Sequence, residues 1–305
     1  MIITQPNLDL LRVTFEARFQ EGYKSADDAL SPLWFDVPSS TRSNRYGWIA
    51  QQLKLNQWIG PRVVQNLSEH DYTLVNVPYE GTVEVDKHDV EDDNLGLYSG
   101  VFMPQLGEAV KKHPGILAAS VLQANPVSFD GLALFHDAHL CYDSAGTTYD
   151  NNYSLALNAT NINVMMSAAA AIVGEDGQPL EVRFTHIIVP PQYEFVAKQV
   201  LKSATYASLV TGEGAGAVRI DNQMQGVLDI IVSPKLANQA TTWYLADLSK
   251  AVKPLVHQTR QAPNFVARDN IQDPKVFDLR KFTYGVDLRD NMGVSLPFLI
   301  AKSVG

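Results

Sequence analysis

The chain is poor in the features that would place it in several common classes. It holds one cysteine, Cys141, in 305 residues, so no disulfide can close within it and a reducing compartment is the simplest setting. Long apolar runs are missing: "SAAAAIVG" and "THIIVPP" fall well short of the roughly 20 residues that a bilayer span needs. The start, "MIITQPNLDLLRVTF", lacks the basic head, continuous apolar segment and small-residue cleavage site of a secretory signal. Basic residues are scarce, 24 against 33 acidic ones for a net charge of −9, and they form no stripe of the kind a nucleic-acid binder presents. Internal repeats and low-complexity tracts are also absent. What is present is 46% apolar content, enough over this length to build a real core in one large or two ordinary domains.

The first third mixes helix, extended segment and strand. Leu8, Leu11, Phe15 and Phe19 recur at helical spacing and predict a helix over residues 7 to 20. The next stretch, "SPLWFDVPSSTRSNRYGW", carries two prolines and a polar cluster that suit an extended arm lying on a surface. From Val63 to Val85, "RVVQNL", "DYTLVNVPY" and "GTVEV" are rich in β-branched and aromatic residues, with "SEHD" as a turn. This pattern predicts a long projecting hairpin, in which Pro78 marks an edge or a bulge. Trp48 and Trp58 precede it; large aromatics there serve packing or a contact between subunits.

Residues 87 to 125 read as one long, bent helical region. Asp89, Glu91, Asp92 and Asp93 lie where the helix would begin and Lys111, Lys112 and His113 further along, an order that complements the helix dipole. Leu97, Val101, Leu106 and Val110 supply an apolar face that Leu117, Val121 and Leu122 continue. Pro104 and Pro114 should each kink or interrupt it, and it should end near Asn125. The acidic run reads as a solvated helix cap in preference to a divalent-cation site.

The second half reads as α/β. "TNINVMMSAAAAIVG" is a capped helix with Ile162, Met165, Met166, Ala169, Ile172 and Val173 on one face. "RFTHIIV", "GVLDIIVSP" and "TTWYLADL" are buried strands, and "PPQYEFVAKQVLKSA" is a helix with proline in its first turn. The last segments, "AVKPLVHQT", "KVFDLRKFTYGVDLR" and "GVSLPFLIAKS", show strand patterns that must join a sheet elsewhere.

Two stretches look chemical. "TGEGAGAVRI" lacks both the Gly-Lys-Ser/Thr of a Walker loop and the strand-to-helix setting of a dinucleotide loop, so Gly212, Gly214 and Gly216 read as a mobile loop between a helix and a strand. "FHDAHLCYD" packs His136, Asp137, His139, Cys141 and Asp143 together. His136 and His139 stand three apart, whereas helical zinc ligands usually stand four apart, and Cys141 has no Cys-x-x-C partner. A metal-dependent hydrolase using His136, Asp137 and His139 is one reading, and a nucleophilic Cys141 another. A polar loop that hydrogen-bonds its own backbone is preferred to both.

The order of segments resembles the major capsid (major head subunit) proteins of Mu-like tailed bacteriophages, which have the HK97 capsid fold. The residues that carry the resemblance are "SSTRSNRYGWI" (39–49), "GTVEVDKHDVEDDNLGLY" (81–98), "THIIVPP" (185–191) and "DLSKAVKPLVHQTRQAPNFVARD" (247–269). The resemblance implies a mixed α+β subunit with an N-terminal arm (1–47) and an E-loop hairpin (48–86). A peripheral domain on a long spine helix would take 87–125 and 251–305, and an axial domain 126–250. It implies a virion protein, assembled in the bacterial host cytoplasm, whose copies form hexamers and pentamers around double-stranded DNA without reading its sequence. No membrane, catalytic residue, metal or cofactor is implied. Trp48, Trp58, Arg62, Tyr72 and Tyr79 become candidate contacts between subunits, and Gly212, Gly214 and Gly216 a candidate loop at the capsomer axis. Expected partners are a separate scaffold protein, since the arm pattern starts almost at Met1, a maturation protease, a portal and a decoration protein. An encapsulin-like compartment shell, which shares the fold, is the related alternative.

Overall fold

The computed structural model describes residues 2–49, 69–92, 95–141, 143, 145–174, 177–209 and 217–305. Helix α1 (Gln5–Ser25) starts with Pro6 in its first turn, where a missing N–H leaves no intrahelical bond unmade. Its Leu8, Leu11, Phe15 and Phe19 are all buried, which is why the helix lies flat on the body. The chain continues through β1 (Trp34–Pro38), β2 (Ser43–Ile49), β3 (Glu69–Val75), β4 (Val77–Asp86) and the short helix α2 (Lys87–Glu91). A π-helical turn at Tyr98–Phe102 leads into α3 (Met103–Ala124). Three two-residue strands follow, β5 (His139–Leu140), β6 (Thr148–Tyr149) and β7 (Asn152–Tyr153), and then α4 (Ala159–Ala170). Next are β8 (His186–Val189), α5 (Glu194–Lys202), β9 (Thr205–Leu209), β10 (Ala217–Asp221), β11 (Asp229–Val232) and β12 (Thr242–Ala246). The end of the chain is β13 (Leu255–Arg268), α6 (Pro274–Leu279), β14 (Lys281–Val294) and β15 (Ile300–Val304).

Two sheets organise these elements. One is four-stranded in the order β1-β13-β14-β4, with β1 parallel to β13 and the other pairs antiparallel. The β13–β14 register shifts twice between Thr259 and Asn264, and Pro263, which cannot donate to a ladder, sits within that shift. Helices α1 and α3 meet this sheet: Phe19 and Val110 bury against Val286 and Leu288, and Phe15 meets Tyr284 edge-on at 4.9 Å. The second sheet is five-stranded, β11-β8-β12-β15-β7. Its central strands are buried on both faces, which explains their unbroken apolar sequence. Ile187, Val189, Trp243 and Leu245 face α4 and α5, while Ile188, Tyr244 and Ala246 point the other way, toward Ala118 and Leu122 of α3. Helix α3, about 33 Å long at 1.5 Å per residue, therefore packs on the first sheet with its N-terminal half and on the second with its C-terminal half.

Helices α1 and α3 touch backbone to backbone. A Cβ placed on Gly107 would collide with the Phe19 carbonyl oxygen and stand 2.6 Å from Tyr23 N, and one on Gly22 would run into the Pro104 backbone. Glycine at both positions is what permits the approach.

Several sequence expectations are corrected. The segment after α1, expected to be an extended stretch lying over a surface, contains β1, which hydrogen-bonds to β13 as a strand of the sheet. The hairpin pairs β2 with β3, and Glu69, His70 and Asp71 of "SEHD" open β3 instead of forming a turn. Strand β4, expected in the E-loop, pairs with β14 because its alternating Val83 and Val85 face the core under α1. The helical region over 87–125 is broken: α2 is separate and the π-helical turn precedes Met103, so Pro104 lies in the first turn of α3, where it is tolerated, while Pro114 stays inside it. "KVF" falls in α6. The last strand, β15, pairs with β12 and β7 and so belongs to the five-stranded sheet.

Candidate functional site

The polar loop around "FHDAHLCYD" is held from both ends. Asn125, in the left-handed conformation that ends α3 (φ 50°), accepts from Phe135 N at 2.7 Å and donates to Phe135 O at 3.1 Å. Buried Asn151 accepts from His136 N at 2.8 Å and donates to Leu134 O at 2.8 Å and Pro297 O at 3.1 Å, which ties the loop to the end of the chain. His139 is fully buried; its Nδ1 sits 2.5 Å from Asp130 Oδ2, its Nε2 donates to Leu134 O at 3.2 Å, and its ring stacks on Tyr149. His136 Nδ1 accepts from Ala138 N at 3.0 Å, while the Asp137 side chain is exposed.

This arrangement uses its polar atoms on itself. Burial pushes the Cys141 thiol up, the reverse of what an activated nucleophile needs. Asp143 is held below the usual carboxylate range by the Thr147 hydroxyl at 2.6 Å and Thr147 N at 2.7 Å. Among the described residues no group of three or more His, Cys, Asp or Glu side chains is placed to hold a metal ion. Substituting both His136 and His139 with alanine is expected to leave the metal content of the purified protein unchanged by mass spectrometry. His139→Ala alone, by leaving Asp130 buried without its partner, is expected to cost about 2 kcal/mol in chemical unfolding.

The other candidate is the β2–β3 ribbon. Its root is fixed by a chain of side chains: Tyr46 donates to Gln258 Oε1 at 2.7 Å, and Gln258 donates to Asn76 Oδ1 at 2.7 Å. Asn76 donates in turn to Ser39 Oγ at 3.0 Å and Thr41 O at 2.9 Å. Gln258, Asn76 and Ser39 are buried, so this polar network is both dry and satisfied. Beyond the root, β2 and β3 pair only with each other among the described residues, and a two-stranded ribbon alone is marginal in water.

The predicted contact residues divide. Tyr72 and Tyr79 pack within the subunit: the Tyr72 hydroxyl accepts from Val294 N at 3.3 Å, and Tyr79 meets His113 with ring centroids 4.2 Å apart. Trp48 lies in β2, with its side chain outside the described residues, as are Trp58 and Arg62 altogether. Gly212, Gly214 and Gly216 also lie outside them; the strands on either side in sequence, β9 and β10, pair with each other, so a strand and not a helix precedes that segment.

Comparison with known proteins bears on the hydrolase reading. The family model of the Mu-like prophage major head subunit gpT matches residues 8–156, 149–236 and 232–304. The chain belongs to this family. The head subunit is 26% identical over 295 residues to the major capsid protein of Escherichia phage Mu, covering 96% of this chain and 72% of that one. It is 27% identical over 291 residues to the Mu-like prophage FluMu major head subunit of Haemophilus influenzae, covering 95% and 71%. Among solved structures it is similar to a chain of the procapsid of bacteriophage JBD30, with TM-score 0.62 and 26% identity over 99% of this chain and 76% of that one. The head subunit is a tailed-phage major capsid protein with the HK97-type fold, a structural protein and not an enzyme. The hydrolase alternative falls with that assignment, and the loop at His136 and His139 is a connection between α3 and the five-stranded sheet.

Sequence reasoning missed one constellation. His257 bridges two carboxylates, with Nδ1 2.6 Å from Asp36 Oδ1 and Nε2 3.0 Å from Asp290 Oδ2, and His113 Nε2 is 3.3 Å from Asp290 Oδ1. The four residues come from four elements, so no local spacing announces them.

Proposed function

We propose that copies of the head subunit assemble into hexamers and pentamers that close into an icosahedral shell around double-stranded DNA. The β2–β3 ribbon carries this reading. It is pinned at its root by a buried network yet pairs with no further strand of its own subunit among the described residues, so its stable environment is a neighbouring copy. The ribbon, with residues 50–68 that join its two strands in sequence, serves as the E-loop. The four-stranded sheet with α1 and α3 forms the peripheral part, and the five-stranded sheet, β15 included, forms the axial part, with the loop at Gly212, Gly214 and Gly216 toward the capsomer axis. Trp48, Trp58 and Arg62 supply contacts between copies. Net charge of −9 favours an enclosing surface that does not trap packaged DNA. A scaffold protein, a maturation protease, a portal and a decoration protein complete the assembly, which takes place in the host cytoplasm. Sedimentation of the purified chain with its scaffold is expected to show capsomers or shells. A single small oligomer carrying stoichiometric metal would refute the reading.

A further inference from the structure

The middle of α3 is weak by construction. Pro114 has no N–H, so the carbonyl of Val110 loses its intrahelical partner. The next residue, Gly115, contributes no side chain, and the Asp28 carboxylate fills the space where a Cβ would stand. This turn lies between the half of α3 that packs on the four-stranded sheet and the half that packs on the five-stranded sheet, where Val110 and Ala118 bury against different cores. A bend here would change the angle between the two sheets.

The Asp36, His257, Asp290 and His113 chain closes across this same turn. It runs from β1 through β13 and β14 to the residue just before Pro114, and a cavity of about 260 Å³ bordered by Asp36, Lys111, Pro114, His257 and Asp290 opens beside it. Asp290 and His257 are buried, and the Asp36 side chain is 73% exposed. We propose that this chain is a proton-dependent latch that holds the proline-broken turn of α3 against the four-stranded sheet and so sets the angle between the two sheets.

The charges around the latch support that role. Burial on its own would push the His257 imidazolium down, but its bonds to Asp290 and Asp36 outweigh burial, and it titrates above the ordinary histidine value. Burial would push the Asp290 carboxyl up, but the bonds from His113 and His257 outweigh it, and it titrates below the ordinary carboxylate value. A raised histidine stabilises the fold below its unfolded value, about 6.5, and loses that contribution as pH rises through its folded value. A depressed carboxylate stabilises above its unfolded value, about 3.9, and loses that contribution as pH falls through its folded value. The latch is therefore fully engaged between about pH 3.9 and about pH 6.5 and is released as pH rises through the folded value of His257. The other charged or titratable groups facing it are Lys111 on α3, set over the Tyr23 ring of α1 at 5.2 Å, and Tyr79 of β4 against His113. Asp28, ion-paired with Lys235, faces the turn from the opposite side at Gly115.

Amide hydrogen exchange on the full chain tests the latch. After correction for intrinsic rates, amides of residues 109–118 and 34–38 are expected to be about tenfold better protected near roughly pH 6 than near roughly pH 9. In His257→Gln, which cannot titrate, the ratio is expected to fall to about one. A native ratio near one, or a tenfold ratio surviving in His257→Gln, would overturn the proposal. If His257→Gln does not fold, Asp36→Asn provides the second measurement, because its side chain is exposed. It is expected to keep the transition but move its midpoint to lower pH, and an unmoved midpoint would overturn the proposal as well.

Discussion

Gly107→Ala is expected to destabilise the head subunit by about 3 kcal/mol, at the upper end of the usual cost of overpacking. The added methyl would collide with the Phe19 carbonyl and stand 2.6 Å from Tyr23 N, and both obstacles are backbone, which cannot rotate aside. Relief requires α1 to move off α3, and that opens the contacts of Phe19 with Val110 and Leu288. Gly22→Ala meets the Pro104 backbone across the same helix pair. The double variant is expected to cost clearly less than the sum of the singles, because one separation relieves both clashes. Denaturant unfolding measures this; a Gly107→Ala loss under about 1 kcal/mol, the floor for overpacking, would show that the helices are not in backbone contact.

Replacing residues 50–68 by Asn-Gly is expected to abolish assembly while leaving a folded subunit. Ile49 stands opposite Glu69 in the β2–β3 register, so two residues of that kind can close the ribbon in a tight turn. The root network of Tyr46, Gln258, Asn76 and Ser39 is untouched, and circular dichroism and the unfolding midpoint are expected to match those of the full chain. A variant that still closes normal shells would remove the E-loop role from this ribbon.

What the sequence revealed and what it hid follow from the range of the interactions. Leu8, Leu11, Phe15 and Phe19 announced α1 because helical periodicity is local, and Asn125 ended α3 where expected because a left-handed cap is a local event. The unbroken apolar runs of β8 and β12 marked strands buried on both faces. Strand partners were another matter. Alternation in "DYTLVNVPY" and "GTVEV" shows which side chains share a face but not which strand lies alongside, so β3 went to β2 and β4 to β14 instead of to each other. The strand before the glycine loop, in "TYASL", has small residues and weak alternation, and it was hidden for that reason. In the loop at His139 the preference for self-satisfied hydrogen bonds agrees with the structure. The latch was beyond reach because its residues span positions 36 to 290 and meet only once β1, β13, β14 and α3 are assembled.

The most direct measurement is electron microscopy of the unaltered chain beside the ribbon-shortened variant, both produced with the scaffold. The account predicts closed shells or ring-shaped capsomers from the first and dispersed subunits from the second. Dispersed small oligomers from the unaltered chain under those conditions would contradict it.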